Sequence, residues 1–148
     1  MSVPERKVVV VPCSGIGKAQ GSVSREAAFE LALELRPQAT EIVALSMLVL
    51  GDEGARRTVA HAPAITIDGC KLMCAAKMVR LSGGTVAEEA TVMDAYRRHR
   101  HLKPHGIAQL NEAGLKLARV LAEELAAKVD VLKHATPAAS PPGAVPHA

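Results

Sequence analysis

The chain has 148 residues, a net charge of +3 at pH 7 and two aromatic residues, Phe29 and Tyr96. That length suits one ordinary domain with an aliphatic core, and the near absence of aromatics removes the stacking platforms that single-stranded nucleic-acid binding uses, so a nucleic-acid partner is not expected. No apolar run approaches the ~20 residues needed to span a bilayer, and the stretch that follows the N-terminal Met1 to Lys7 is too short for a signal peptide, so a cytoplasmic location is expected and no membrane partner.

Lys7 to Val11 is a β-branched run without alternation, the pattern of a strand covered on both faces in a parallel sheet; it ends at Pro12-Cys13. A Gly-rich segment, Ser14 to Gly21, follows. Ser22 or Ser24 is then placed to cap a helix with Glu26 in its first turn and Ala28, Leu31, Ala32 and Leu35 on one face, stopped by Pro37. Glu41 to Ser46 reads as the second strand, with its end blurred by the apolar run through Leu50. Gly51-Asp52 offers a turn and an N-cap for a short helix finishing near His61, before Pro63. Ala64 to Ile67 reads as a third buried strand. Asp68-Gly69 turns the chain into a helix expected from Cys70 to Leu81, closed by Ser82-Gly83-Gly84.

A fourth strand is expected at Ala90 to Met93 and a basic loop from Arg97 to His105, whose charge reads as a solvated face. A long helix from Asn111 to Val131 places Leu117, Ala118, Leu121, Leu125 and Val129 on one stripe. Residues 1–135 thus read as a single domain. The Pro- and Ala-rich tail, 136–148, has too little apolar bulk to fold and is expected to be disordered.

Strands alternating with helices imply right-handed crossovers and a three-layer Rossmann-like or flavodoxin-like fold: a parallel sheet of about four strands with helices on both faces. In the order 2-1-3-4 the topological switch lies between strands one and three, where such sheets bind ligands beyond their carboxyl ends. Cys13 follows strand one directly and Cys70 follows strand three by two residues, so the fold directs both to one crevice. Cys74 lies four residues after Cys70 on the expected helix, about 400° of turn, so both side chains fall on one face about a turn apart. Three thiols near one point suit a soft metal ion, Zn²⁺ above all, with a fourth position left over. The plain alternative is that three small cysteines fill core space.

Val11-Pro-Cys-Ser-Gly15 after the first strand, Ile67-Asp-Gly-Cys70, and Cys74-Ala-Ala-Lys77 together resemble the DGC domain family over roughly Lys7 to Asp94. The resemblance implies a small α/β protein with four metal-chelating cysteines and no established biochemical activity. Three of the four map onto Cys13, Cys70 and Cys74. The fourth is implied near the end of the second strand, where this chain reads Val43-Ala44-Leu45-Ser46. An open fourth position, a substitute ligand and loss of metal binding are all consistent with that departure. Ser46 and the His-x-His-x3-His series His99, His101 and His105 are candidate substitutes. His61 is expected at the opposite edge of the sheet. Asp68 either accepts a hydrogen bond that orients a metal ligand or caps the helix that follows it.

Two other classes of function compete. Cys13 could be the nucleophile of a redox or oxyanion-binding enzyme, with Ser14, Gly15, Gly17 and Lys18 forming an anion-binding loop and Lys18 or Arg25 balancing charge. The Cys-x5-Arg spacing of low-molecular-weight phosphatases is absent, since Ala19 occupies the sixth position. Dinucleotide and Walker signatures fail as well: Gly15-x-Gly17-x3-Gly21 is one residue too long, and Lys18 is followed by Ala19. Alternatively the cysteines serve a carrier or sensor holding zinc or an iron–sulfur cluster, which sequence cannot separate but colour can. Whether the chain pairs with itself or with another protein is left open.

Overall fold

The computed structural model describes residues 6–13, 15 and 17–134. Four strands, β1 (Val8–Pro12), β2 (Thr40–Ile42), β3 (Pro63–Asp68) and β4 (Thr85–Thr91), form one parallel sheet in the order β2-β1-β3-β4. This is the order 2-1-3-4, which puts the switch point between β1 and β3. Val8 and Val10 pack to one side of the sheet and Val9 and Val11 to the other, all four fully buried. Two-sided burial is why this strand carries no alternation.

On the first side lie α1 (Ala19–Phe29), its π-helical continuation over Glu30–Leu35, α5 (Val92–Arg98) and α6 (Glu112–Leu132). The Arg36 N–H donates to the Leu31 carbonyl, an i to i−5 bond, before Pro37 ends the helix. In α6 the predicted stripe Leu117, Ala118, Leu121, Leu125 and Val129 is buried, and the Asn111 side chain accepts from the Gly114 N–H at 2.8 Å. Along the second side run α2 (Leu45–Leu50), α3 (Glu53–Ala60) and α4 (Cys74–Leu81). As expected, Asp52 caps α3, accepting from the Ala55 N–H.

Five boundaries differ from the sequence reading. α1 begins at Ala19 behind Lys18, so Ser22 and Ser24 lie inside it and are buried there, not at its cap, and Glu26 is past its first turn. The second strand stops at Ile42, and Leu45 to Leu50 turns helical with Leu45 and Leu48 inward; a short unbroken apolar run does not distinguish strand from helix. The third helix on the second side starts at Cys74, not Cys70, because the chain first bends at Gly69-Cys70, turns at Lys71-Leu72 and passes through Met73 at φ 54°. β4 spans Thr85–Thr91 with alternately exposed residues, an edge-strand pattern that Glu88 and Glu89 disguise. Thr91 then caps α5, accepting from the Asp94 N–H, so Arg97 and Arg98 are helical and the loop begins at His99. The proposed tail over 136–148 lies outside the described residues. Among the described residues no helix is long and apolar enough to cross a membrane.

Candidate functional site

Parallel strands β1 and β3 pair through Pro12 and Ile67, so the segments that leave their carboxyl ends emerge side by side. Between them opens a cleft of about 400 Å³ whose walls include Cys13, Cys70 and Cys74. All three thiols are free, Cys13 and Cys70 half-buried and Cys74 exposed. The cysteines expected to share a crevice do so.

Cys13 is held most closely. Its Sγ lies 3.0 Å from Ser24 Oγ and accepts the Gly69 N–H at 3.3 Å. Ser24 Oγ also donates to the Gly21 carbonyl at 2.7 Å, which fixes the hydroxyl one turn into α1. The glycine loop forms another wall through Gly15, Gly17 and Lys18. Gly15 and Gly17 both have positive φ, and Gly15 runs so close to Gly21 that a Cβ on Gly21 would sit 2.1 Å from the Gly15 Cα. Ser14, the remaining member of the proposed anion loop, lies outside the described residues. Arg25 donates to Ser22 Oγ and does not line the cleft.

Asp68 is buried, and its carboxylate accepts the Ala75 N–H at 2.8 Å and the Ala76 N–H at 3.1 Å. These are the orphan amides of the first turn of α4. Asp68 therefore caps the helix across the intervening turn. Reaching so far requires the loop through Cys70 to Met73, which is why Cys70 and Cys74 do not stack on one helical face. Burial pushes the Asp68 carboxyl above the usual aspartate range; the Ala75 and Ala76 amides pull it back, nearby Glu89 adds to the rise and Lys77 opposes it.

Ser46 is exposed on α2, while its neighbour Leu45 lines the cleft. The histidine series stands apart. His99 Nε2 bonds Glu124 Oε1 at 3.0 Å, the His101 ring meets His99 edge-on at 6.4 Å, and His105 is exposed. His61 lies at the other end of the sheet in a cavity with Arg6 and Glu41, as expected. Among the described residues no group of three or more His, Cys, Asp and Glu side chains converges closely enough to hold a metal ion. The donor set itself, three soft sulfurs free of disulfides in one cleft, suits a thiophilic ion.

The family model of the DGC domain matches residues 9–114, which contain the whole cleft. This chain belongs to the DGC domain family. Neither a curated protein nor a solved structure matches it. In this DGC domain the Asp-Gly-Cys tripeptide divides three tasks. Asp68 caps α4. Gly69 lies flat on the start of α1, where a Cβ would meet the Gly21 nitrogen at 2.9 Å and the Gln20 carbonyl carbon at 3.0 Å, and its N–H reaches Cys13. Cys70 opens into the cleft. Sequence reasoning missed the Ser24 contact and the walls formed by Gln20, Leu45 and Leu72. Only Ser24 had a signal, as one of the two serines read at the start of the helix that follows the Cys13 loop.

Proposed function

We propose that this DGC domain binds one metal ion, zinc in the first instance, through Cys13, Cys70 and Cys74, with the fourth position open. The observation that carries this reading is the gathering of three free thiols, Cys13 and the sequence-distant pair Cys70 and Cys74, in one cleft at the switch point of a parallel sheet. Binding requires Cys70 and Cys74 to swing toward Cys13, and the exposed turn at Lys71-Leu72 and the exposed Cys74 leave room for that rotation. Asp68 is not a ligand in this reading, because both carboxylate oxygens are committed to α4. A zinc ion with three protein ligands supplies an exchangeable position for an incoming donor.

Elemental analysis of the full chain, purified without chelators, tests the reading with Cys70→Ser alongside. About one zinc per chain, lost in the variant, is expected for a single site. No metal in either protein, with all thiols freely titratable, would sink it. Brown protein would instead favour an iron–sulfur cluster.

A second reading has its own observation. Cys13 Sγ receives the Gly69 N–H and touches Ser24 Oγ beside the Gly15-to-Lys18 loop, as a nucleophilic sulfur would. In that case Cys13→Ser abolishes a turnover while metal content is unchanged.

A further inference from the structure

Beyond the carboxyl ends of β3 and β4, where Asp68 pairs with Thr91, lies a second hollow of about 830 Å³, next to the cysteine cleft and larger than it. Parallel sheets bind their ligands outside this edge. The hollow is walled by the residues that open α1, by the turn after β3 and by one face of α5. Charge is unbalanced there. Lys18, Lys71 and Arg97 are cationic, and the one carboxylate, Asp94, is engaged by Arg97 at 2.9 Å. Lys18 and Lys71 have no ion-pair partner among the described residues.

The rest of the wall is aliphatic. Leu72 and Met93 are exposed although large and apolar. Met73 sits at φ 54°, the only residue other than glycine with positive φ among the described residues. The Cys70 carbonyl accepts its N–H at 3.2 Å, and its own carbonyl accepts the Lys77 N–H at 3.0 Å, so the turn is held from both ends. Glycine adopts this conformation without strain; methionine here sets backbone strain against a long apolar side chain on the wall of the hollow, and strain kept in that way clusters at ligand sites. No aromatic ring lines the hollow to stack on a planar base. With its one guanidinium engaged by Asp94 no free fork remains for a phosphate, whereas two ammonium charges suit a carboxylate. We infer that the hollow binds an aliphatic monocarboxylate of medium chain length, its carboxylate between Lys18 and Lys71 and its chain along Leu72, Met73 and Met93. The site is that of the metal-free chain, in which the Lys71-Leu72 turn stands as described, and it is independent of the three-cysteine reading.

The full chain, carrying ¹³C in the methyl groups of its five methionines and kept in chelator, is titrated with hexanoate, 1-hexanol and acetate and followed by nuclear magnetic resonance. Met73→Leu and Met93→Leu assign the two signals of the hollow. Hexanoate is expected to move those two to saturation and to leave the other methionine signals in place. It should bind roughly three- to tenfold more tightly than 1-hexanol, the effect of two exposed ion pairs, and about tenfold more tightly than acetate, which lacks the chain. Both lysines are exposed, so the double variant Lys18→Ala, Lys71→Ala should keep the circular dichroism of the parent and lose the preference for hexanoate over 1-hexanol. Leu72→Ser should weaken both ligands alike. Equal binding of hexanoate and 1-hexanol, or an unchanged preference in the double variant, overturns the carboxylate contact and with it the site. Equal binding of hexanoate and acetate overturns the aliphatic wall. Shifts of all the methionine signals together without saturation mark detergent-like adsorption and also overturn the inference.

Discussion

Replacing Asp68 with alanine is the most informative single change, because it removes one carboxylate and strands two amides. The Ala75 and Ala76 N–H groups lie at 2.8 and 3.1 Å from its oxygens, and both residues are buried, so no side chain replaces the lost acceptor. A hydrogen bond to a charged group contributes about 1.5–3 kcal/mol, so two would total about 3–6 kcal/mol. The same substitution relieves the burial of a carboxylate, which burial raises above its ordinary pKa range, and this offset brings the expected loss to about 3 kcal/mol. With an m value of about 1.5 kcal/mol per molar, the urea midpoint should fall by about 2 M. Asp68→Asn keeps one acceptor oxygen but turns its NH₂ toward the other amide, so about half that loss is expected. The chain has no Trp, so unfolding is best followed by far-ultraviolet circular dichroism, with chelator present so that bound metal does not add to stability. A midpoint for Asp68→Ala within about 0.3 M of the parent would refute the capping role, given the sensitivity of such curves. Equal losses for Ala and Asn would refute the two-oxygen geometry.

Other consequences can be checked with the same curves. Because the folded-state pKa of Asp68 is raised by burial, the folded chain holds that proton to higher pH than the unfolded chain does; its contribution is greatest below the ordinary aspartate value of about 3.9 and declines as pH rises through the folded value, so the stability difference between parent and Asp68→Asn should shrink over that window. Glu124 behaves in the opposite sense: burial pushes its carboxyl up, but hydrogen bonds from His99 and Arg98 outweigh this and hold it low. Glu124→Gln should therefore cost about 0.5–1 kcal/mol near neutrality, and that cost should vanish as pH falls through the folded value; a cost independent of pH would count against it. Gly69→Ala forces a Cβ against the Gly21 and Gln20 backbone and should cost about 1–3 kcal/mol, read as a lower urea midpoint, whereas an unchanged midpoint would show that the α1 start yields freely. Thr66 is fully buried and its Oγ1 has no partner among the described residues. Thr66→Val should stabilise by about 1 kcal/mol, and a thermal midpoint below the parent's would contradict that.

The sheet was legible in the sequence because burial on both faces leaves a direct mark: Val8 to Val11 and Ala64 to Ile67 have no polar residue to spare except Thr66. Crossover rules fix the handedness of the connections but not the order of strands; taken as 2-1-3-4, the order found, it brings Cys13 and Cys70 together. Local chemistry hid the rest. Edge position lets Glu88 and Glu89 sit in β4, which composition reads as a poor strand. The start of α4 depends on a cap seven and eight residues upstream of the amides it satisfies, and capping rules look only three residues ahead. That same long reach separates Cys70 from Cys74, a consequence no spacing argument anticipates. The histidines were placed by sequence on the cysteine edge, but a carboxylate of α6 holds His99 elsewhere.

The borders of the sheet carry a consequence of their own. β2 offers only three residues for pairing. On the far side, β4 slips register between Ala64 and Ile65, so that Ala87 has no partner in β3, and it bears Glu88 and Glu89 in succession, the latter tied to Arg80 at 3.1 Å. A foreign strand laid along either border would find too short a template or a kinked and negatively charged one. Growth of the sheet into fibres or strand-swapped aggregates is thereby opposed at both borders.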